Sequence, residues 1–203
     1  MLNVVISGLI TGWAIAIPVG AIATFLVTLT ARTSLRVGVA AGLGVATVDG
    51  LYAAAAVIGG SALTALIAPV AAELRLVSAL ILLGIAALTL WRALRGGAED
   101  ATRAAPMSPG AAYSLLVAIT AINPATVVYF AAIVLGNRDL VLGATQAVVF
   151  VVAAFVASAS WQLCLAAGGA ALARVVTSTR GRRNLGILSG ALIAGLALRT
   201  LLA

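Results

Sequence analysis

The chain has no histidine, and all twelve of its basic residues are arginine, so lysine is missing as well. Those absences exclude a histidine metal site, a serine–histidine pair and a serine–lysine dyad, together with the membrane proteases that depend on them. Cysteine occurs once, at Cys164, so no internal disulfide can form. A single thiol inside an apolar helix is ordinarily a small packing residue rather than a nucleophile. Charged residues make up only 8% of the 203 positions, and five of them are acidic. That is too little polar material for the surface of a water-soluble domain. Enzyme chemistry is not expected, and no cofactor is implied.

What the chain has instead is apolar length. Hydrophobic residues account for 64% of it and the mean hydropathy is +1.23. Six apolar segments predict an all-α membrane protein of six transmembrane helices in a single domain over residues 1–203. The net charge of +7 does not point to nucleic acid, because the arginines are spaced along the loops and no block is long enough for a binding arm. Met1-Leu2-Asn3 lacks the basic region of a cleaved signal, and no small-residue cleavage site follows, so the first span is expected to stay in the mature protein.

Span one covers about Val4 to Thr30 and contains Ile17-Pro18-Val19-Gly20-Ala21. Pro18 removes a backbone donor and crowds the preceding turn, which predicts either a packing kink or a break near mid-membrane. Span two runs from Val37 to about Ile58. Gly59-Gly60 then loosens the backbone, and Ser61 to Ala68 can form a short interfacial or re-entrant helix that stops at Pro69. Span three covers about Leu74 to Leu94, and residues 96–110 read as a polar linker. Span four, about Ala111 to Leu135, carries Asn123-Pro124-Ala125-Thr126 near its centre. Span five, about Leu142 to Ala167, carries Ser158, Ser160, Trp161 and Gln162 and is expected to loosen at Gly168-Gly169. Span six covers about Leu185 to Leu202.

The arginines divide unevenly between the two sides. Nine (Arg32, Arg36, Arg92, Arg95, Arg103, Arg174, Arg180, Arg182 and Arg183) follow spans one, three and five, against three (Arg75, Arg138 and Arg199) on the other side. This places loops 31–36, 96–110 and 173–184 in the cytoplasm and both termini outside.

The two halves, 1–95 and 111–203, resemble each other. Spans one and four are interrupted at Pro18 and Pro124; spans two and five end in Gly59-Gly60-Ser61-Ala62-Leu63 and Gly168-Gly169-Ala170-Ala171-Leu172; spans three and six end in an arginine among leucines. Three spans is an odd number, so equivalent halves sit upside down relative to each other, as a 3+3 inverted repeat. In such folds, paired interrupted helices mark a substrate site at the midplane. Chance similarity in so biased a composition is the competing explanation.

Asp49 is the candidate centre of that site. It is the twelfth residue beyond Val37, which at helical rise places it roughly 18 Å into a hydrocarbon core about 30 Å thick. An acid at that depth costs on the order of 3 kcal/mol and normally faces a polar cavity or a partner. It is either a functional group or a neutral carboxyl bonded to a neighbouring helix. Pro18, Gly20, Asn123, Pro124 and Thr126 belong to the breaks, while Ser158 and Gln162 come from the part of span five equivalent to Asp49. On a helix, Ser158, Trp161 and Gln162 share one face and Ser160 looks elsewhere. A pocket of one carboxylate, a few hydroxyls and amides and two helix breaks suits a small zwitterion, its amine on Asp49 and its carboxylate on freed amides. Asp49 is equally placed to carry a proton as access alternates. If amine and proton compete for it, the result is antiport. Gly8 and Gly12, Gly38 and Gly42, and Gly186 and Gly190 have the four-residue spacing of close helix approach, within a bundle or in a dimer. Trp91 suits an interfacial belt. Trp13 either walls the cavity or packs, and Tyr52 and Tyr129 either donate to a buried acceptor or fill space.

Pro18-Val19-Gly20-Ala21, Thr33-Ser34-Leu35-Arg36-Val37-Gly38, Gly42-Leu43-Gly44, Asp49-Gly50-Leu51-Tyr52 and Asn123-Pro124-Ala125-Thr126 together resemble the LysE-type translocator family of bacterial amino-acid exporters, which includes lysine and homoserine–threonine exporters. The resemblance covers nearly the whole chain. It implies proton-driven export of amino acids or related metabolites by a homodimer in the bacterial inner membrane, with Pro18, Gly20, Asn123 and Pro124 in the family's proline motifs and Asp49 as its second-span acid. The chain departs from the family at Ala21, where a second proline is common. Two other readings remain open at this point: an inorganic cation exporter, poorly supplied with ligands here, and a membrane scaffold that transports nothing.

Overall fold

The computed structural model describes residues 1–17, 20–94, 107–123, 143–175 and 179–202. Among them every regular element is helical, as an apolar medium requires of a chain whose backbone groups must be satisfied within each segment. In order they are α1 (Leu2–Ala16), α2 (Ala21–Arg32), α3 (Leu35–Ile67), a 3-10 turn at Ala68–Val70, α4 (Ala71–Leu94), α5 (Pro109–Ala121), α6 (Ala144–Val175) and α7 (Thr179–Leu202). Three stretches are long and apolar enough to cross a bilayer: Leu35–Gly59, Ala72–Trp91 and Ala144–Arg174. The pair α1 and α2, bent by 79°, makes a fourth if counted as one span. Two shorter apolar helices, α5 and the Arg183–Leu198 part of α7, stand where the sequence predicts the first half of span four and span six. The second half of the expected span four lies outside the described residues.

Local sequence accounts for most boundaries. α1 ends where the Ile17 N–H donates to the Trp13 carbonyl at 2.8 Å, and α2 begins after Gly20, whose carbonyl accepts from the Thr24 N–H at 3.1 Å. The span is therefore interrupted around the proline, although Pro18 and Val19 themselves lie outside the described residues. α3 leaves helical geometry at Gly59 (φ −154°, ψ 43°), then continues as the short segment expected there and stops in the turn that contains Pro69. α5 starts at Pro109, two residues before the sequence suggests. Ser108 accounts for the difference, since its Oγ accepts from the Ala111 N–H at 3.1 Å and Pro109 occupies the first helical position.

One expectation fails. α6 does not loosen at Gly168-Gly169 but continues as helix to Val175. Gly169 is there for proximity, because a Cβ at that position would lie 2.6 Å from the Val27 carbonyl oxygen of α2. The glycine lets two helices touch and does not release either.

α3 and α6 form the centre. They cross antiparallel, with Gly42 against Gln162 and Gly50 against Phe155. α1 lies on α6 and runs parallel to it, Gly8 against Ala153 and Gly12 against Ala157; α5 lies parallel on α3, with Gly44 against the Tyr113 backbone. α4 packs on α7, where Gly190 meets Leu90 and Gly186 meets Ala93, while α2 bridges α6 and α7. All three expected glycine pairs thus serve contacts inside one chain. Such small-residue seams fit a medium in which association rests on close packing rather than on expulsion of water. One apolar cluster joins Leu26, Val45, Leu82, Leu116 and Ile193, and another joins Val4, Ala53, Phe150 and Ala154.

Candidate functional site

Asp49 is 3% exposed and sits where α3 crosses α6. Its Oδ2 accepts a hydrogen bond of 2.6 Å from the Oγ of Ser158, a fully buried residue 109 positions away. The pairing places the second-span acid and the fifth-span serine in one polar spot within an apolar seam. A buried carboxyl needs such a partner, since an unpaired one costs several kcal/mol.

Further polar groups lie on the same two helices and on α5. Gln162 follows Ser158 by one turn of α6 and is 4% exposed; its Oε1 has no hydrogen-bond partner among the described residues. The same holds for Thr120 Oγ1 near the end of α5, 2% exposed, and for the buried Trp161 Nε1. Buried polar atoms are nearly always partnered, so these three make the surroundings of Asp49 a candidate binding place. Tyr52, one turn beyond Asp49 on α3, donates its hydroxyl to the carbonyl oxygen of Ala121, the last residue of α5. Tyr113 of α5 donates to Thr47 Oγ1 at 3.1 Å. Two tyrosines therefore tie α3 to α5 on either side of Asp49.

Of the other expected site residues, Gly20 stands at the start of α2, and among the described residues no atom lies within 4 Å of where its Cβ would be. It caps α2 through the backbone alone, which leaves first-turn amides of α2 at the interruption. Asn123 follows α5, its N–H donating to the Thr120 carbonyl at 3.0 Å. Pro18, Pro124 and Thr126 lie outside the described residues. Ser160 turns away from Asp49 as its helical position predicts, accepting from Trp13 Nε1 at 3.0 Å and donating to the Ala157 carbonyl at 2.7 Å. Trp13 thereby clasps α1 to α6.

Sequence reasoning passed over Thr120. Its signal was available, since Ala112, Leu116, Ile119 and Thr120 recur at helical spacing on the buried face of α5. A threonine closing such a face three residues before Asn123 is out of place unless it meets something polar.

Long apolar helices seamed by glycine and alanine, a helix pair bent by 79° and an aspartate buried at the central crossing define a multi-pass helical membrane protein. The family model of the LysE type translocator matches residues 13–203, nearly the whole chain, and the protein belongs to that family. It is accordingly a translocator of the membrane and not an enzyme. No curated protein and no solved structure matches the chain.

Proposed function

We propose that the protein is a proton-coupled secondary exporter of amino acids or closely related small zwitterions, working as a homodimer in the bacterial inner membrane. The observation that carries this reading is the buried Asp49–Ser158 pair with, one turn away, a Gln162 oxygen that has no partner among the described residues. The described buried side chains around it offer acceptors and no cation, which suits a substrate's ammonium group. The first-turn amides of α2 are the available donors for its carboxylate. Pro18, Pro124 and Thr126 are assigned to the same chamber by their places in the two breaks.

The inverted repeat belongs to this proposal, and the packing pattern supports it. Matching Gly59 to Gly168 equates Asp49 with Ser158, so the two hydrogen-bonded residues occupy equivalent positions and the pseudo-twofold axis passes between them. Exchange of the halves turns the α1–α6 contact into the α5–α3 contact, and both exist; it maps α3–α6 and α4–α7 onto themselves, and both are principal contacts. Both exchanged pairs also run parallel, as the symmetry demands. Arginine-rich connections on one side assign loops 31–36, 96–110 and 173–184 to the cytoplasm.

Transport follows from competition. A proton and an amine both seek Asp49, and alternating access lets one enter as the other leaves. The test is purified protein in liposomes under an imposed pH gradient, assayed with a mixture of radiolabelled amino acids. Gradient-driven flux is expected for the wild type, and Asp49→Asn is expected to abolish its dependence on the gradient. Equal gradient-driven flux in that variant would remove Asp49 from the coupling mechanism.

A further inference from the structure

Tyr52 and Trp161 stand in different hydrogen-bonding states although the repeat makes them equivalent. With Asp49 matched to Ser158, Tyr52 falls on Trp161, the next ring-bearing donor three residues further along each helix. Tyr52 donates to the carbonyl of Ala121, at the C-terminal end of α5. Trp161 Nε1 is buried and has no partner among the described residues.

The register of α1 on α6 says what Trp161 would reach. Gly12 lies against Ala157 and Trp13 bonds to Ser160, so the two helices advance in step and Trp161 comes level with the last turn of α1, Ala14–Ala16. That turn is the equivalent of the last turn of α5. Its carbonyls also need donors, because Pro18 has no N–H to give to the Ala14 oxygen four residues back.

We propose that Tyr52 and Trp161 are paired latches of the transport cycle, each capping the free carbonyls of one broken half-helix in turn, and that this conformation has the Tyr52 latch closed and the Trp161 latch open. The alternate conformation is the same molecule with the halves' roles exchanged: Trp161 bonded to the end of α1, and Tyr52 released from Ala121. A symmetric fold needs some such asymmetric element, since two equal halves in equal states would leave the chamber facing neither side. On the orientation proposed above, α3 runs outward from Arg36, so Tyr52 lies on the outer side of Asp49 and Trp161 on the cytoplasmic side of Ser158. The conformation described here is then closed to the outside. This inference rests on the inverted-repeat reading. It does not rest on the identity of the substrate.

The test reads sidedness and needs no substrate. In a Cys164→Ser background, Gly20→Cys puts a thiol at the break of the first span, and a membrane-impermeant maleimide is added from one side or the other in right-side-out and inverted vesicles. Tyr52→Phe is expected to raise labelling from the outside about three- to tenfold, the population equivalent of one ordinary hydrogen bond. Trp161→Phe is expected to shift it by a similar factor towards the cytoplasmic side, and the double variant to return to the parent ratio. Both substitutions keep an aromatic ring, so a merely structural role would not move the two ratios in opposite directions. Shifts of the same sign, or no shift in either variant, would overturn the proposal. If Trp161→Phe does not accumulate in the membrane, Tyr52→Phe alone decides: no increase from outside refutes it. A shift confined to Tyr52→Phe would break the equivalence of the halves, whereas opposite shifts beside unaltered gradient-driven flux in Asp49→Asn would keep the latches and sink the coupling role of Asp49.

Discussion

At the scale of single residues, the contrast between Ser158 and Gln162 separates a structural partner from a waiting one. Ser158 satisfies Asp49 at 2.6 Å. Replacing it by alanine leaves a buried carboxyl without its donor and is expected to cost about 1–3 kcal/mol, read as a lower thermal unfolding temperature in detergent. Gln162 makes the opposite case, because its buried Oε1 has no partner among the described residues. Gln162→Leu is expected to leave thermal stability unchanged or raise it by up to about 1 kcal/mol, while weakening transport through a higher KM. If this variant is as unstable as Ser158→Ala, Gln162 is part of the scaffold and not of the site.

Asp49 itself was conspicuous in the sequence as the deep acid, and Ser158 was placed on the equivalent part of span five. That one would bond to the other could not be read. Residues 109 apart meet only if the crossing of α3 and α6 has one particular rotation and register, and periodicity within a helix carries no information about either.

At the scale of the helix, close approach is the organising constraint. A side chain at Gly12 would drive into Ala157 and the Ala154 backbone, so Gly12→Leu is expected to destabilise the α1–α6 pair by about 1–3 kcal/mol. Gly195 of α7 has nothing among the described residues within 4 Å of its would-be Cβ, and there Gly→Ala is expected to be neutral or to stabilise by up to about 1 kcal/mol through helix propensity. Thermal unfolding of the two variants checks both signs, and equal effects would remove glycine-mediated approach as the reason for Gly12. The same logic explains the one element misjudged from sequence. Gly59 and Gly168-Gly169 look alike as a string, yet one interrupts its helix and the others do not. Glycine permits either outcome, and what decides is whether another backbone, here that of Val27, stands close enough to require the missing side chain.

At the scale of the whole molecule, the arginine asymmetry predicts an orientation that can be measured. A reporter enzyme active only outside the cytoplasm is expected to work when fused after Ala203 and to stay inactive when inserted at position 100. The reverse pattern would invert the proposed topology and with it the sidedness assigned to the two latches. The packing of α1 on α6 and of α5 on α3 also means that each close pair draws one helix from each half. On the proposed transport reading, movement between those two pairs, across the α3–α6 crossing that holds Asp49, is the rearrangement that would give alternating access.

Sequence by itself determined the membrane character, the helical content and a bend in the first span, because each follows from local chemistry: apolar length, backbone saturation and a proline without an N–H. Tertiary structure decided which polar groups meet and which are left open. Tyr52 reaches Ala121 across 69 residues, and the buried Trp161 Nε1 reaches no partner among the described residues. Those outcomes belong to the rotation and register of packed helices, which no single helix specifies.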